Sequence, residues 1–173
     1  MPTQKIILIA INFIGGIAVI GSYIWGLRTG DGGANALWGG TPASVKPIYT
    51  ISMLLSALGY FAFIFFILFR LGPASFNFNI FYIIFFGILS ASSFWMPLTN
   101  LFLANPGTIL WFMIRVVLAI VGISSCALVW ALISLHTKEI GLAYWLALAG
   151  SIYFAFHTTV LDMILWPLFF KMQ

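Results

Sequence analysis

Residues 140–166 read IGLAYWLALAGSIYFAFHTTVLDMILW. A helix that crosses a bilayer needs about 20 apolar residues in a row. This run supplies them and is too long and too uniformly apolar for a strand. It also holds His157 and Asp162, which a membrane span carries only at a cost. An aspartate at the centre of such a helix costs about 2.5–3.5 kcal/mol on insertion scales. Ala143, Ala147, Ser151, Ala155 and Thr159 recur at every fourth position, a stripe suited to close helix packing. Asp162 lies three residues beyond Thr159, on nearly the same face. Its carboxyl is therefore expected to point into a bundle rather than at lipid.

Working outward, the same pattern recurs along the chain. Apolar runs span about 6–27, 48–69, 79–103, 108–135 and 140–166. Between the first two lies RTGDGGANALWGGTPASVKP, residues 28–47, a Gly-rich loop long enough to act as a lid. Gly72-Pro73, Asn105-Pro106-Gly107 and the His136–Glu139 segment close the next three runs, and Pro167 ends or kinks the last. Strands of an outer-membrane barrel would be about 10 residues long and would alternate apolar with polar. The expected fold is an all-α integral membrane protein, a single five-transmembrane-helix bundle over residues 1–173.

Composition agrees. The chain is 63% hydrophobic and 6% charged, against about 25% charged in soluble domains. Seven Lys and Arg give a net charge of +4. Most sit near the ends of apolar runs, as membrane-surface anchors, and no basic stripe or nucleic-acid motif accompanies them. Lys5, Arg70 and Lys138 fall on one side, and Arg28, Lys46 and Lys171 on the other, so the positive-inside rule is tied. The single cysteine, Cys126, can form neither an internal disulfide nor a cysteine zinc cluster. The first run is longer than a signal h-region and is read as a retained span. A bacterial inner membrane is the simplest expected location. Phosphate loops, dinucleotide fingerprints, zinc-protease motifs and nucleophile elbows are all missing.

A polar layer can be placed by counting from the loops. Arg115 and Asp162 lie nearly equal distances from the loop near Lys138. Antiparallel neighbours would set them at matching depth, so Arg115 is the expected partner of Asp162. The same count brings Trp95-Met96-Pro97 to this level, and Pro97 deprives the Ser93 carbonyl of its helical donor. Asn100, Thr99, Tyr49, Ser52, Tyr23 and Trp25 share that half. The expected result is a pocket between helices under loop one. Bland readings stand beside this one. The charge pair serves structure alone, His157 hydrogen-bonds within the bundle, Pro97 is a tolerated kink, and Trp95 and Trp166 are belt residues. A histidine metal site is not expected, because the other histidine, His136, lies at the opposite surface. A Ser93–His157–Asp162 triad is disfavoured. Residues five apart on an α-helix are about 140° apart around the axis.

The stretch Thr158-Thr159-Val160-Leu161-Asp162-Met163-Ile164-Leu165-Trp166 resembles the last helix of the translocator protein family, also called tryptophan-rich sensory proteins. There a Thr-Thr-x-Leu run precedes Asn, three further residues and Trp; Asp162 stands at the Asn position. Ser56-Ala57-Leu58-Gly59-Tyr60 is similar to the family's Ala-Met-Gly-Tyr region, and Trp95-Met96-Pro97 to its Trp-Pro-Pro. Ser93-Phe94 replaces the usual Asn-Trp, and Arg115 stands where an acid is often found. The resemblance implies a five-helix bundle that binds a bulky apolar ligand, such as a porphyrin, another tetrapyrrole or a sterol, beneath loop one. Trp38, Tyr49, Trp95, Pro97, Asn100, Arg115, His157 and Asp162 would line or flank the site, with Arg115 binding a propionate carboxylate.

Three functions fit these residues: a sensor, carrier or scavenger of a hydrophobic small molecule; an accessory subunit that packs in a membrane complex; and a membrane enzyme using Asp162 or His157 as acid or base. The first is preferred. The small-residue stripes also permit a homodimer.

Overall fold

The computed structural model describes residues 2–30, 33–72, 76–135 and 141–170. Pro73, the His136–Glu139 loop with His136 and Lys138, Ile140 and Lys171 lie outside them. Every regular element among the described residues is a helix, without a strand. Helix α1 spans Thr3–Thr29, and a single turn, α2, covers Gly33–Ala36. Helix α3 spans Lys46–Phe65 and continues as a π-helical turn over Phe66–Arg70. Helices α4 and α5 span Phe78–Ala104 and Thr108–Ile133. Helix α6 spans Leu142–Phe156, winds into a π-helix over His157–Leu165, and ends in a short α7, Trp166–Phe169. Five of these continuous rods are long and apolar enough to cross a membrane. Their bounds lie within a few residues of those expected.

The rods form an open ring. Helix α1 packs on α4, α4 on α5, α5 on α6 and its π extension, and α6 on α3. Between α3 and α1 the ring is held by a Tyr60 hydroxyl that donates to Asn12 Oδ1. Small residues set the tightest crossings. A Cβ on Gly59 of α3 would stand 2.5 Å from the Gly150 carbonyl oxygen of α6, so the two backbones touch directly. Ala147 and Ser151, from the expected stripe, are fully buried beside this crossing. Where α1 crosses α4, Gly26 fits against Met96, and Asn100 Nδ2 donates to the Gly26 carbonyl at 2.9 Å.

Two apolar cores result. One joins Leu8, Phe63, Phe66, Phe81, Phe85, Leu128 and Leu132 at the Lys5 end. The other joins Tyr49, Phe102, Ile114, Leu161, Trp166 and Phe170 at the loop-one end. Helix α4 runs through Pro97 without a break. Pro167 lies within the continuous rod, where the π-helix gives way to α7, and does not end it.

Candidate functional site

The π-helix over His157–Leu165 builds the site. An α-helix turns its i and i+5 positions well apart; a π-helix bonds i to i+5 and brings them onto one face. His157 Nε2 consequently lies 3.5 Å from Asp162 Oδ2. This corrects the expectation that the two stand about 140° apart around an α-helix, although the contact is longer than a good hydrogen bond. It also corrects the expected pair. Arg115 is exposed on the outer face of α5, and among the described residues the ionisable partner of Asp162 is His157.

A polar chain fixes the histidine from behind. Tyr153 Oη donates to Ser52 Oγ at 3.2 Å, and Ser52 Oγ lies 2.9 Å from His157 Nδ1. With Tyr153 donating to it, the Ser52 hydroxyl has its own proton to give to Nδ1. In the neutral ring this leaves the remaining proton on Nε2, directed at Asp162; the tautomer is assigned from the network. Tyr49 Oη adds a brace, donating to the Leu161 carbonyl at 2.9 Å.

Asp162 faces a cavity of about 840 Å³. Its side chain is 33% accessible, while that of His157 is 7%. The cavity runs along the seam between α1 and α3, with α4 and the π-helix as its inner wall. Its far end is mostly apolar, lined by Ile9, Phe13, Phe61, Ile64 and Leu68, with the hydrogen-bonded Asn12–Tyr60 pair among them. Its near end is aromatic, lined by Tyr23, Trp38, Tyr49, Trp95 and Trp166 around Asp162. These rings touch in series. Tyr23 and Trp95 have centroids 5.7 Å apart, Trp95 and Trp166 5.6 Å, and Trp38 and Tyr49 5.9 Å. The Trp95 indole nitrogen has no hydrogen-bond partner among the described residues.

Loop one covers this aromatic end and is tied down. Trp166 Nε1 donates to the Leu37 carbonyl at 3.0 Å, and the Gly40 amide donates to the Phe169 carbonyl at 3.0 Å. Gly39, at φ +50°, lies so close to Phe170 that a Cβ would stand 2.7 Å from its ring. Lys46 places its Nζ 5.9 Å from the Trp38 ring centroid. Trp166→Phe removes one of the tethers, worth about 0.5–1.5 kcal/mol. A broad-specificity protease is then expected to cut residues 33–45 several-fold faster than in the wild type.

Of the residues picked from the sequence, Trp38, Tyr49, Trp95, His157 and Asp162 share the cavity wall. Asn100 joins α4 to α1 instead. Pro97 is half-buried outside the cavity, and Arg115 is remote from it. Ser93 spends its hydroxyl on the Ser90 carbonyl at 2.7 Å, so Ser52 is the serine beside His157. Ser52 is 3% exposed and does not line the cavity, and a substrate carbonyl cannot reach its oxygen. Tyr60, Asn12 and Tyr153 went unsingled in the sequence; their one signal was a polar tip in an apolar span. Among the described residues no three His, Cys, Asp or Glu converge to hold a metal.

Comparison with family models, with curated proteins and with solved structures finds no match to this chain.

Proposed function

We propose that the chain is an integral membrane protein of translocator type, binding a bulky apolar ligand of porphyrin or sterol size between α1 and α3. One observation carries the reading: the 840 Å³ cavity. Its volume lies in the range of about 300–1,000 Å³ usual for ligand sites, and its wall combines apolar surface with a few placed polar groups. Membrane residence is supported by the outward faces. Ile14, Ile17, Leu54, Ile83, Ile109 and Leu142 are each more than half exposed, an apolar surface that water does not tolerate over such an area. A bilayer of the bacterial inner-membrane kind suits a bundle of this sort. The resemblance in the last span supports the translocator reading, and the loop-one lid over an aromatic chamber agrees with it. Sensing, carriage and scavenging all begin with this binding step.

The test is titration of the detergent-solubilised protein with octaethylporphyrin, a large apolar ring without carboxylates. Saturable quenching of tryptophan fluorescence is expected, because Trp38, Trp95 and Trp166 line the cavity. A linear, non-saturating response removes the binding function. It would favour the accessory-subunit reading, to which α1 lends itself: only Leu8 and Gly26 of that helix are buried, so most of its surface is free for a partner helix.

A further inference from the structure

We propose that the ligand carries a protonated amine, seated against Asp162, on an apolar body that fills the α1–α3 seam. This inference rests on the binding reading above and names the chemistry of its head group.

The lining of the cavity contains one acid and one histidine, and no lysine or arginine. Asp162 is therefore not neutralised by a cation of the wall. The ion-pair contact it makes among the described residues is with His157, at 3.5 Å. That distance is longer than a good hydrogen bond of about 2.7–3.2 Å. A carboxylate can accept about four hydrogen bonds, so most of this capacity faces the cavity unused. The complement is a donor or a cation.

The rings around Asp162 point the same way. Tyr23, Tyr49, Trp38, Trp95 and Trp166 surround the acidic end. Aromatic faces attract ammonium groups through their quadrupoles, and such cages recur where alkylated amines are recognised. The hydroxyls of Tyr49 and Tyr60 are already committed, to the Leu161 carbonyl and to Asn12. Each oxygen keeps its lone pairs, so those two residues offer ring faces and acceptors rather than donors. A ligand carboxylate finds the reverse: an acid in front of it, and Arg115 on the far side of α5. The cavity then grades from acidic and aromatic beneath loop one to mostly apolar toward Leu68, where the polar tips of Asn12 and Tyr60 bond each other, which matches an amphiphile with one cationic end.

Three tricyclic ligands share one body and differ only in the head: dehydroabietylamine, dehydroabietic acid and the corresponding alcohol. Each would be titrated by calorimetry into the protein in dodecyl maltoside micelles, which carry no ammonium, at neutral pH, with empty micelles subtracted. The amine is expected to bind at least tenfold tighter than the acid or the alcohol. Asp162→Asn should erase that preference and Asp162→Glu should keep it; the charge-retaining variant guards against a loss caused by misfolding. Equal affinity of amine and alcohol, tighter binding of the acid, or a preference that survives Asp162→Asn overturns the proposal. In any of these cases saturable binding of octaethylporphyrin leaves the cavity's binding role standing. If neither the porphyrin nor any member of the series binds saturably, both readings fail together. Micelles containing added phosphatidylethanolamine separate two sources of the same chemistry. Weaker amine binding there means that a lipid ammonium competes for Asp162, and unchanged binding assigns the site to free amines.

Discussion

Gly16→Trp is expected to weaken ligand binding at least tenfold, or about 1.4 kcal/mol, while the bundle stays folded. Gly16 lines the cavity from α1, and a Cβ built on it meets no atom within 4 Å. A large side chain there has space to enter, and that space is the ligand's. Glycine also weakens a helix interior by about 1 kcal/mol relative to better helix formers, so the substitution does not threaten α1. Quenching by octaethylporphyrin reports the affinity, and thermal unfolding in detergent reports the fold. Undiminished binding with an unchanged melting curve would mean that ligand does not sit in the seam.

Gly59→Val should do the opposite. The added carbon atoms meet the Gly150 backbone, the nearest approach being 2.5 Å from its carbonyl oxygen. No side-chain rotation relieves a clash between two backbones, so α3 and α6 must separate. Overpacking in a tight core costs about 1–3 kcal/mol, and the upper part of that range applies where backbone is struck. Ser52 on α3 and Tyr153 on α6 flank this crossing, so the polar chain behind His157 should come apart with it. Lower thermal stability and weaker binding are expected together. A variant with wild-type stability would show that α3 and α6 do not meet as described.

The contrast between these two glycines shows what sequence could and could not tell. Five apolar runs with Gly and Pro between them are a signal of length and composition, and the helices follow it closely. The stripe through Ala147 and Ser151 likewise marked a packing face. Depth counting was less informative. It places Arg115 and Asp162 at one height but says nothing of direction around each helix. Ile109, Phe112 and Val116 share an outward face with Arg115 on α5, and that 3.6-residue spacing argued for an outward arginine. Its head is about 10–12 Å from the helix start, within reach of the surface for a long side chain.

The His157–Asp162 contact was hidden for a different reason. Pattern reading assumes a constant 3.6 residues per turn, and nothing local in HTTVLDMIL announces a wider winding. Ser52 and Tyr153 lie 101 residues apart and meet only through the tertiary packing of α3 on α6. Tyr49, Trp38 and Trp95 were within reach of sequence reasoning because aromatic residues with polar tips are conspicuous among aliphatic ones.

The wide winding of His157–Leu165 also sets the phase of everything that follows it. Rewinding this segment as an α-helix with all nine residues kept would turn everything after it, because an α-helix advances about 100° per residue and a π-helix less. Trp166 and Phe170 would then swing away from Leu37 and Gly39, and the lid would lose its latch with no cavity-facing group chemically altered. The winding of these nine residues is thus as much a part of the site as the side chains they carry.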